Sequence, residues 1–347
     1  MTPLMAASQK GQCGVIKKLL SRNIDVNQCD MHGNTALSLA SEMNHPKAVK
    51  LLITKGGASV VSPRGSLALY KASGRGHLRI IKILISNGAD VNATPKEYDG
   101  CSSLMYACQE AHLDVLKFLL TKGADIEHQS DGGQNALTIA CGEHGANRID
   151  VVNTLLDYGA NTNPKQNFSP LYSASGAGHM KIVSLLLEKG ANVNTCCDDG
   201  TTPLMYASQE GQMKIVSLLL EEGANVNTRC DDGSTPLMYA SQQGHTKICR
   251  LLIKYDADMS ASHLGTRGTS TAAAIAGTPE TLALLKRRSQ KCAVCGITAQ
   301  EKNKKALKRC SGCGLVCYCD QDCQRKHWKN GHKETCKKTN QSNPPTK

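Results

Sequence analysis

The chain has 347 residues, a formal net charge of +12 and 17 cysteines, and only 3% of its residues are aromatic. Such a length predicts two or three domains, and so few large rings exclude a conventional core built on aromatic side chains. Ala, Leu, Ile and Val must then form the core, which favours thin, regularly stacked helices. No apolar run approaches the ~18 residues that a membrane span needs, so we expect no membrane insertion.

The first residues, MTPLMAASQKGQCG, have no basic segment followed by an apolar one, so nothing marks the chain for secretion. Some cysteines lie inside apolar helical patterns, namely Cys108, Cys141 and Cys249. In a reducing compartment, clustered cysteines bind metal and scattered ones pack as small hydrophobic side chains. The segment KRR at Lys286 is too short for a nuclear signal. We therefore predict an intracellular protein, in the cytoplasm rather than the nucleus.

A seven-residue pattern returns throughout the first four fifths of the chain. It reads TPLMAAS at Thr2 and TPLMYAS at Thr202 and Thr235, and a decayed ninth copy, TAAAIAG, begins at Thr271. The core leucines recur every 32 to 35 residues: Leu4, Leu37, Leu69, Leu104, Leu137, Leu171, Leu204 and Leu237. Each copy continues with a turn, an apolar segment such as KIVSLLLEKG and a GANVN-like motif. A capping Thr before Pro, then apolar residues at helical spacing, predicts two short helices in each copy.

These copies resemble ankyrin repeats, whose period is close to 33 residues. The resemblance implies a mainly α fold, a solenoid of about eight to nine helix-turn-helix repeats that binds other proteins. The family's TPLH is TPLM here, as in Thr202–Met205, so a histidine that ties the turn is missing and we expect slightly softer repeats. Met1 stands where a hairpin should precede Thr2, which indicates either a truncated first repeat or a start further upstream.

Histidines recur at the turn between the two helices of a copy. No Ser/His/Asp or Cys/His set and no phosphate-binding loop accompanies them, so we predict a structural role for His77, His112, His144, His179 and His245. We predict no catalytic residue in the repeats and no enzyme activity.

By the same resemblance, partner contacts would lie beside the hairpin glycine and at the end of the first helix. The candidates are Asp198, Asp199, Thr201, Gln209, Glu210, Asp231, Asp232, Ser234, Gln242 and Gln243. The repeated CDDG would place its carboxylates along one ridge. Two interpretations stay open, a site for a basic partner and ordinary turn chemistry, which Asp favours.

Four pairs of cysteine and histidine residues follow the repeats at metal-binding spacing. They are Cys292-x2-Cys295, Cys310-x2-Cys313, Cys319-x3-Cys323 and His332-x3-Cys336. Zn²⁺ takes four sulfur or nitrogen ligands in a closed tetrahedron, so the pairs predict two structural zinc ions with no open position for catalysis. Spacing alone does not decide which pairs share an ion. The segment has too few apolar residues for a core, so we expect zinc to fold it.

These pairs resemble the MYND-type zinc finger, and the match extends to YCDQDCQRKHWKNGHKETC. The resemblance implies cross-braced pairing, with one zinc on Cys292, Cys295, Cys319 and Cys323 and the other on Cys310, Cys313, His332 and Cys336. It also implies a groove for proline-containing peptides, with Gln324 and Trp328 as contacts and Tyr318 as a weaker candidate. Trp328 could instead only pack the finger's helix. We interpret Cys317 as a thiol that binds no zinc and His327 as a solvated helix residue.

Together the resemblances predict a non-enzymatic adaptor or scaffold with an ankyrin array at 1–285, a basic linker at 286–291, a MYND finger at 292–336 and a disordered tail at 337–347. From Lys286 onward 16 Lys and Arg face 4 Asp and Glu, which raises the alternative of a nucleic-acid-associated transcriptional regulator. Few aromatic residues are available for base stacking, so we do not expect sequence-specific nucleic-acid binding. A RING-like ubiquitin ligase is the other alternative, but a RING ends in Cys-x2-Cys.

Overall fold

The computed structural model describes residues 1–288 apart from 23, 62, 96–97, 143–147, 165–167 and 266–267, and beyond them two short strands. Most of the predicted zinc finger and all of the tail at 337–347 lie outside the described residues. Residues 1–225 and 226–347 form two compact units. Among the described residues, no helix is long and apolar enough to cross a membrane.

Sixteen helices form eight successive pairs, one for each predicted repeat. The first helices are α1 (Pro3–Gln9), α3 (Ala36–Glu42), α5 (Pro63–Gly74), α7 (Ser103–Gln109), α9 (Ala136–Gly142), α11 (Pro170–Ala177), α13 (Pro203–Gln209) and α15 (Pro236–Gln242). The second helices are α2 (Cys13–Leu20), α4 (Pro46–Thr54), α6 (Leu78–Ser86), α8 (Leu113–Thr121), α10 (Arg148–Asp157), α12 (Met180–Glu188), α14 (Met213–Glu221) and α16 (Thr246–Lys254). The mainly α, ankyrin-type fold is thereby confirmed.

Capping side chains fix the start of several first helices, as α1 and α13 show. The Thr2 hydroxyl accepts the Met5 N–H at 3.2 Å, and Thr202 does the same for Met205 at 3.3 Å. Met205 stands where the family has a histidine, and its sulfur accepts the Thr202 N–H at 3.4 Å. Sulfur is a weak acceptor, so the softer turns that we expect remain a prediction.

The core consists of the predicted leucines and small side chains between the two helix layers. The eight core leucines are all at most 3% exposed. Cys108, Cys141 and Cys249 are 0% exposed, which confirms that they pack as small hydrophobic residues. Burial raises the pKa of the Cys108 thiol to about 12, so this thiol stays neutral and unreactive at neutral pH.

Turn histidines join the second, third and fourth repeats to the repeat before each. Nε2 of His77 lies 2.9 Å from the Glu42 carbonyl oxygen, and Nε2 of His112 lies 3.1 Å from that of Gly74. His45, which the sequence analysis missed, makes the same contact. The structural role is confirmed for His77 and His112. His179 and His245 occupy the same position before their helices, and His144 lies outside the described residues.

An asparagine ladder joins the repeats at their hairpin ends. The Asn163 side chain accepts the Asn192 N–H at 2.7 Å and donates to the Gly190 carbonyl at 2.9 Å. Asn194 makes the equivalent pair of bonds one repeat later, to Asn225 and Gly223. Asn163 and Asn194, the last residues of two GANVN-like motifs, therefore each hold the next repeat in register through one acceptor and one donor.

The ninth copy of the pattern is incomplete. Thr271 ends a two-stranded antiparallel hairpin, β1 (Ser262–Gly265) with β2 (Gly268–Thr271), and turns follow where a first helix was predicted. Ala273 stands at the position of the core leucine and no Pro starts a helix there, so the segment lacks both the apolar anchor and the initiation signal. Only a final helix, α17 (Pro279–Arg288), forms, and it includes the first three residues of the predicted linker.

Candidate interaction and zinc sites

A pocket of about 380 Å³ opens on the first helices of three consecutive repeats. Its wall includes Gln134, Thr138, Phe168, Tyr172, Tyr206 and Glu210, and we call it the tyrosine pocket. A volume of this size can admit one or two side chains of a partner. Phe168 is 36% exposed although it is a large apolar residue, so the pocket presents aromatic surface to solvent.

The aromatic wall of the pocket depends on one glycine. The rings of Tyr172 and Tyr206 stack with centroids 4.6 Å apart at an interplanar angle of 21°. A Cβ at Gly176 would lie 2.0 Å from the Tyr206 ring, so only a glycine lets this ring rest on helix α11. The stack is thus built from two tyrosines of adjacent repeats and a glycine between them.

The same arrangement occurs three repeats earlier in a more enclosed form. Tyr70 and Tyr106 stack at 4.6 Å, and a Cβ at Gly74 would lie 2.0 Å from the Tyr106 ring. Tyr98 adds a third ring, 4.5 Å from Tyr70. Tyr70 is only 5% exposed, and burial raises its pKa. The sequence signal for both stacks is a Tyr one residue after the core Leu, a Gly four residues further on, and a Tyr two residues after the next core Leu.

The predicted partner residues lie at the ends of the first helices α13 and α15 and in the hairpin turns, and one of them, Glu210, lines the tyrosine pocket. Glu210 is an exposed residue of the pocket wall, and Gln209 donates to it at 3.4 Å. An exposed carboxylate beside stacked rings favours a cation, because the ring faces are also negative. Sequence reasoning found Gln209 and Glu210 but missed the tyrosines beside them.

One aspartate of each CDDG motif accepts a backbone hydrogen bond within its own turn. Asp199 accepts the N–H of Thr201 at 2.9 Å, and in the other unit Asp232 accepts the N–H of Ser234 at 2.8 Å. These bonds support the turn interpretation. Thr201 and Ser234 are each 7% exposed, so they offer little surface to a partner. Asp198, Asp199, Asp231, Asp232, Gln242 and Gln243 are exposed.

A charged cluster joins the first helices of the second and third repeats. Lys71 Nζ lies 2.7 Å from Glu42 Oε2 and 2.6 Å from Asn34 Oδ1, and Arg75 lies 3.3 Å from the other Glu42 oxygen. Burial alone would raise the pKa of Glu42, but the hydrogen bonds and charges of Lys71 and Arg75 outweigh it and lower that pKa. The pair is mostly enclosed, with 12% and 18% of the Lys71 and Glu42 side chains exposed.

This cluster predicts an acid-sensitive part of the repeat stability. A carboxylate whose pKa is lowered on folding stabilises the fold above its unfolded pKa, and this contribution is lost as the pH falls through the folded value. We expect Glu42→Gln to cost about 1–2 kcal/mol at neutral pH and nothing at a pH where Glu42 is protonated in the wild type. Urea unfolding followed by circular dichroism from pH 7 down to pH 3 measures the difference. Glu188→Gln, at an exposed carboxylate of α12, is the control, and equal pH profiles for the two variants would contradict the assignment.

The zinc-finger segment contributes one described element, a two-stranded hairpin. Strand β3 (Lys308–Arg309) pairs antiparallel with β4 (Cys317–Tyr318), with Arg309 opposite Cys317. In the sequence, the ligand pair that begins at Cys310 follows β3 directly, and the pair that begins at Cys319 follows β4. The donor set of seven thiols and one imidazole suits Zn²⁺ rather than an oxygen-preferring cation. The eight predicted ligands, Gln324 and Trp328 lie outside the described residues, and in the described part of the chain no three His, Cys, Asp or Glu side chains gather to hold a metal ion.

Comparison with known proteins agrees with both modules. The family model of ankyrin repeats (three copies) matches residues 1–64, 57–130, 125–196 and 189–263, and the MYND finger model matches residues 292–336. The crystal structure of the human ASB11 ankyrin repeat domain superposes with a TM-score of 0.54 at 29% identity, over 63% of this chain and 96% of that one.

Two curated proteins each resemble one part of the chain. The Caenorhabditis elegans ankyrin repeat and KH domain-containing protein mask-1 is 34% identical over 210 residues, which are 57% of this chain and 8% of that protein. A Dictyostelium discoideum SET and MYND domain-containing protein is 64% identical over 33 residues, which are 10% of this chain and 6% of that protein. The chain therefore spans only a small part of either relative. Because the repeat model covers well over half of the sequence and the finger model follows it, the chain belongs to the ankyrin-repeat family and carries a C-terminal MYND zinc finger.

Proposed function

We propose that this protein is a non-enzymatic adaptor of the cytoplasm, which binds one protein on the first helices of its ankyrin repeats and a proline-containing segment of a second protein on its MYND finger. Ankyrin repeats and MYND fingers are protein-interaction modules, so the chain joins two such modules. The observation that carries the proposal is the tyrosine pocket, because its wall combines surface-accessible aromatic side chains, with Phe168 36% exposed, and the exposed carboxylate of Glu210, where a partner can reach them.

The chemistry of the pocket indicates the kind of side chain that enters it. Tyrosines at an interface supply a large contact area and lose little conformational entropy on binding. The stacked rings of Tyr172 and Tyr206 offer apolar faces with negative charge density, and Glu210 adds a full negative charge beside them. A Lys or Arg of the partner fits this combination, with its stem on the rings and its charge near Glu210.

The finger provides the second binding surface in this proposal. Two zinc ions would be held by the cross-braced ligand sets, one on Cys292, Cys295, Cys319 and Cys323 and one on Cys310, Cys313, His332 and Cys336. The metal supplies the fold, because two closed sites replace the apolar core that this segment lacks. Gln324 and Trp328, with Tyr318, would then contact the proline-containing segment, since an extended proline segment is already ordered and packs well on a flat ring.

Affinity purification from cells with mass spectrometry tests the two surfaces separately. We expect Tyr206→Ala to lose one set of partners, and Trp328→Ala to lose a different set that is rich in proline segments. Tyr158→Ala removes a tyrosine that is 46% exposed and lies outside the pocket, and it should lose neither set. Zinc content and the thermal melt of each variant must match the wild type, so that unfolding does not imitate a lost contact.

Two results would contradict the adaptor. If either variant loses all partners together, the protein has one binding surface and not two. If the wild type discharges ubiquitin from a charged conjugating enzyme, the finger is a ligase and the protein is an enzyme.

A further inference from the structure

The second helices of the first three repeats carry positive charge only. Their cations, all exposed, are Lys17 and Lys18 in α2, Lys47 and Lys50 in α4, and Arg79 and Lys82 in α6. These three helices contain no Asp or Glu, whereas α8, α10, α12 and α14 each contain at least one. Helix α16 also lacks both, but its Arg250 pairs with Glu280 at 3.5 Å. None of the six cations forms an ion pair with a carboxylate of the described residues. We call this surface the basic outer face.

A groove of about 630 Å³ lies within the basic outer face, between α4 and α6. The groove has apolar lining at Ile53, which is half-buried, and at Ile83, which is 9% exposed. The exposed cations Lys50, Arg79 and Lys82 also line it. The groove therefore combines a recessed apolar surface with three charges of one sign.

The neutral polar groups of the groove already bond within the chain. The Thr54 hydroxyl donates to the Lys50 carbonyl at 2.8 Å, and the Asn87 amide donates to the Ile83 carbonyl at 2.7 Å. The lysines and the arginine are the charged groups through which a ligand can gain polar contacts. Burying unpaired cations in an interface is costly, so a partner must bring negative charge to this groove.

We propose that this groove binds an acidic amphipathic segment of a protein, which places an apolar side chain against Ile53 and Ile83 and its carboxylates near Lys50, Arg79 and Lys82. The site is separate from the tyrosine pocket, which lies on the first helices and carries a carboxylate. Complementary charge speeds association and excludes basic partners, and the apolar contact adds affinity that salt does not screen.

Two other anionic partners fit the groove less well. A lipid surface needs apolar side chains that protrude, whereas Ile83 is buried and can be reached only by a side chain that projects into the groove. A single-stranded nucleic acid needs exposed ring faces for stacking. Lys82 lies 5.5 Å from the Phe118 ring centroid and Lys122 lies 5.7 Å from it, so this neighbouring ring already carries two lysines.

Selection from a display library of short helical peptides tests the proposal on the zinc-loaded full chain. We expect enriched peptides to carry Leu, Ile or Phe flanked by Asp and Glu. For an enriched peptide, Lys50→Glu/Arg79→Glu/Lys82→Glu should raise the Kd at least about tenfold. The control Lys181→Glu/Lys214→Glu/Lys247→Glu changes the net charge equally, at the position equivalent to Arg79 in three later repeats, and should change the Kd less than about twofold.

Three results would overturn the proposal. Enrichment of peptides without the acidic and apolar pattern would show that the groove does not select this chemistry. An equal loss of affinity in the control variant would show that only the net charge acts. A DNA duplex or a phosphatidylserine vesicle that binds more tightly than the best peptide, and that loses this binding in the groove variant alone, would assign the face to nucleic acid or to membrane.

Discussion

Chelation of zinc is expected to unfold the chain from about residue 290 onward and to leave the ankyrin repeats folded. A structural zinc site contributes on the order of 10 kcal/mol or more to folding at neutral pH, and the finger has almost no apolar residues to replace it. The repeats have their own core of buried leucines. Limited trypsin digestion of the full chain, with and without a chelator, measures the effect, because Lys and Arg are abundant after Lys286. The repeat melt at 222 nm should not change.

Single cysteine variants test which cysteines bind zinc. Cys295→Ser should lower the zinc content from two ions, whereas Cys317→Ser should retain both, because Cys317 is not among the predicted ligands. Alkylation mapped by mass spectrometry then tests the pairing. In Cys295→Ser, cross-braced pairing predicts that Cys319 and Cys323 react first, and consecutive pairing predicts Cys310 and Cys313. Collapse of the repeat melt on chelation would refute the independence of the two modules.

Features that recur within one repeat could be predicted from the sequence. The threonine caps, the core leucines and the buried cysteines each depend on a local pattern. The leucines and cysteines are confirmed, and so are the caps at Thr2, Thr35, Thr202 and Thr235. Contacts between repeats could not be predicted in this way. The stack of Tyr172 on Tyr206 joins residues in different repeats, and it requires the glycine at position 176 as well, so no single repeat displays the rule.

The net charge summed over all repeats does not reveal how charge is distributed among individual helices. The charge excess lies entirely from Lys286 onward, so the repeats are neutral as a whole, yet α2, α4 and α6 carry only cations. The ninth copy, TAAAIAG, is already decayed in sequence: Ala273 replaces the core leucine and no Pro follows Thr271, and in the structure turns replace its first helix. The contacts between the cap N–H groups and the methionine sulfurs could not be predicted from the sequence. At that position, a methionine indicates only that the usual histidine is missing.

Gly176→Ala is expected to destabilise the repeats by about 1–3 kcal/mol, the usual range for overpacking. The new Cβ would lie 2.0 Å from the Tyr206 ring, so the ring must leave its stack on Tyr172. Gly176 lies in a helix and has no positive φ, so the loss would come from the clash and not from backbone strain. The same shift of the ring would also remove the aromatic wall of the tyrosine pocket. Urea unfolding of the full chain followed at 222 nm gives the change in stability.

Gly142→Ala is the matched control, because Gly142 occupies the same position, five residues after its core leucine. The nearest atom to its added Cβ is Ser173 Cβ at 3.5 Å, an ordinary contact, and alanine favours a helix over glycine by up to about 1 kcal/mol. This variant should therefore be neutral or slightly more stable. In Gly176→Ala/Tyr206→Ser the clash is removed, so the double variant should lose less stability than the sum of its two single changes. The glycine does not hold the tyrosine stack in place if the double variant loses as much stability as the two single variants together. The same conclusion follows if Gly176→Ala is as neutral as Gly142→Ala.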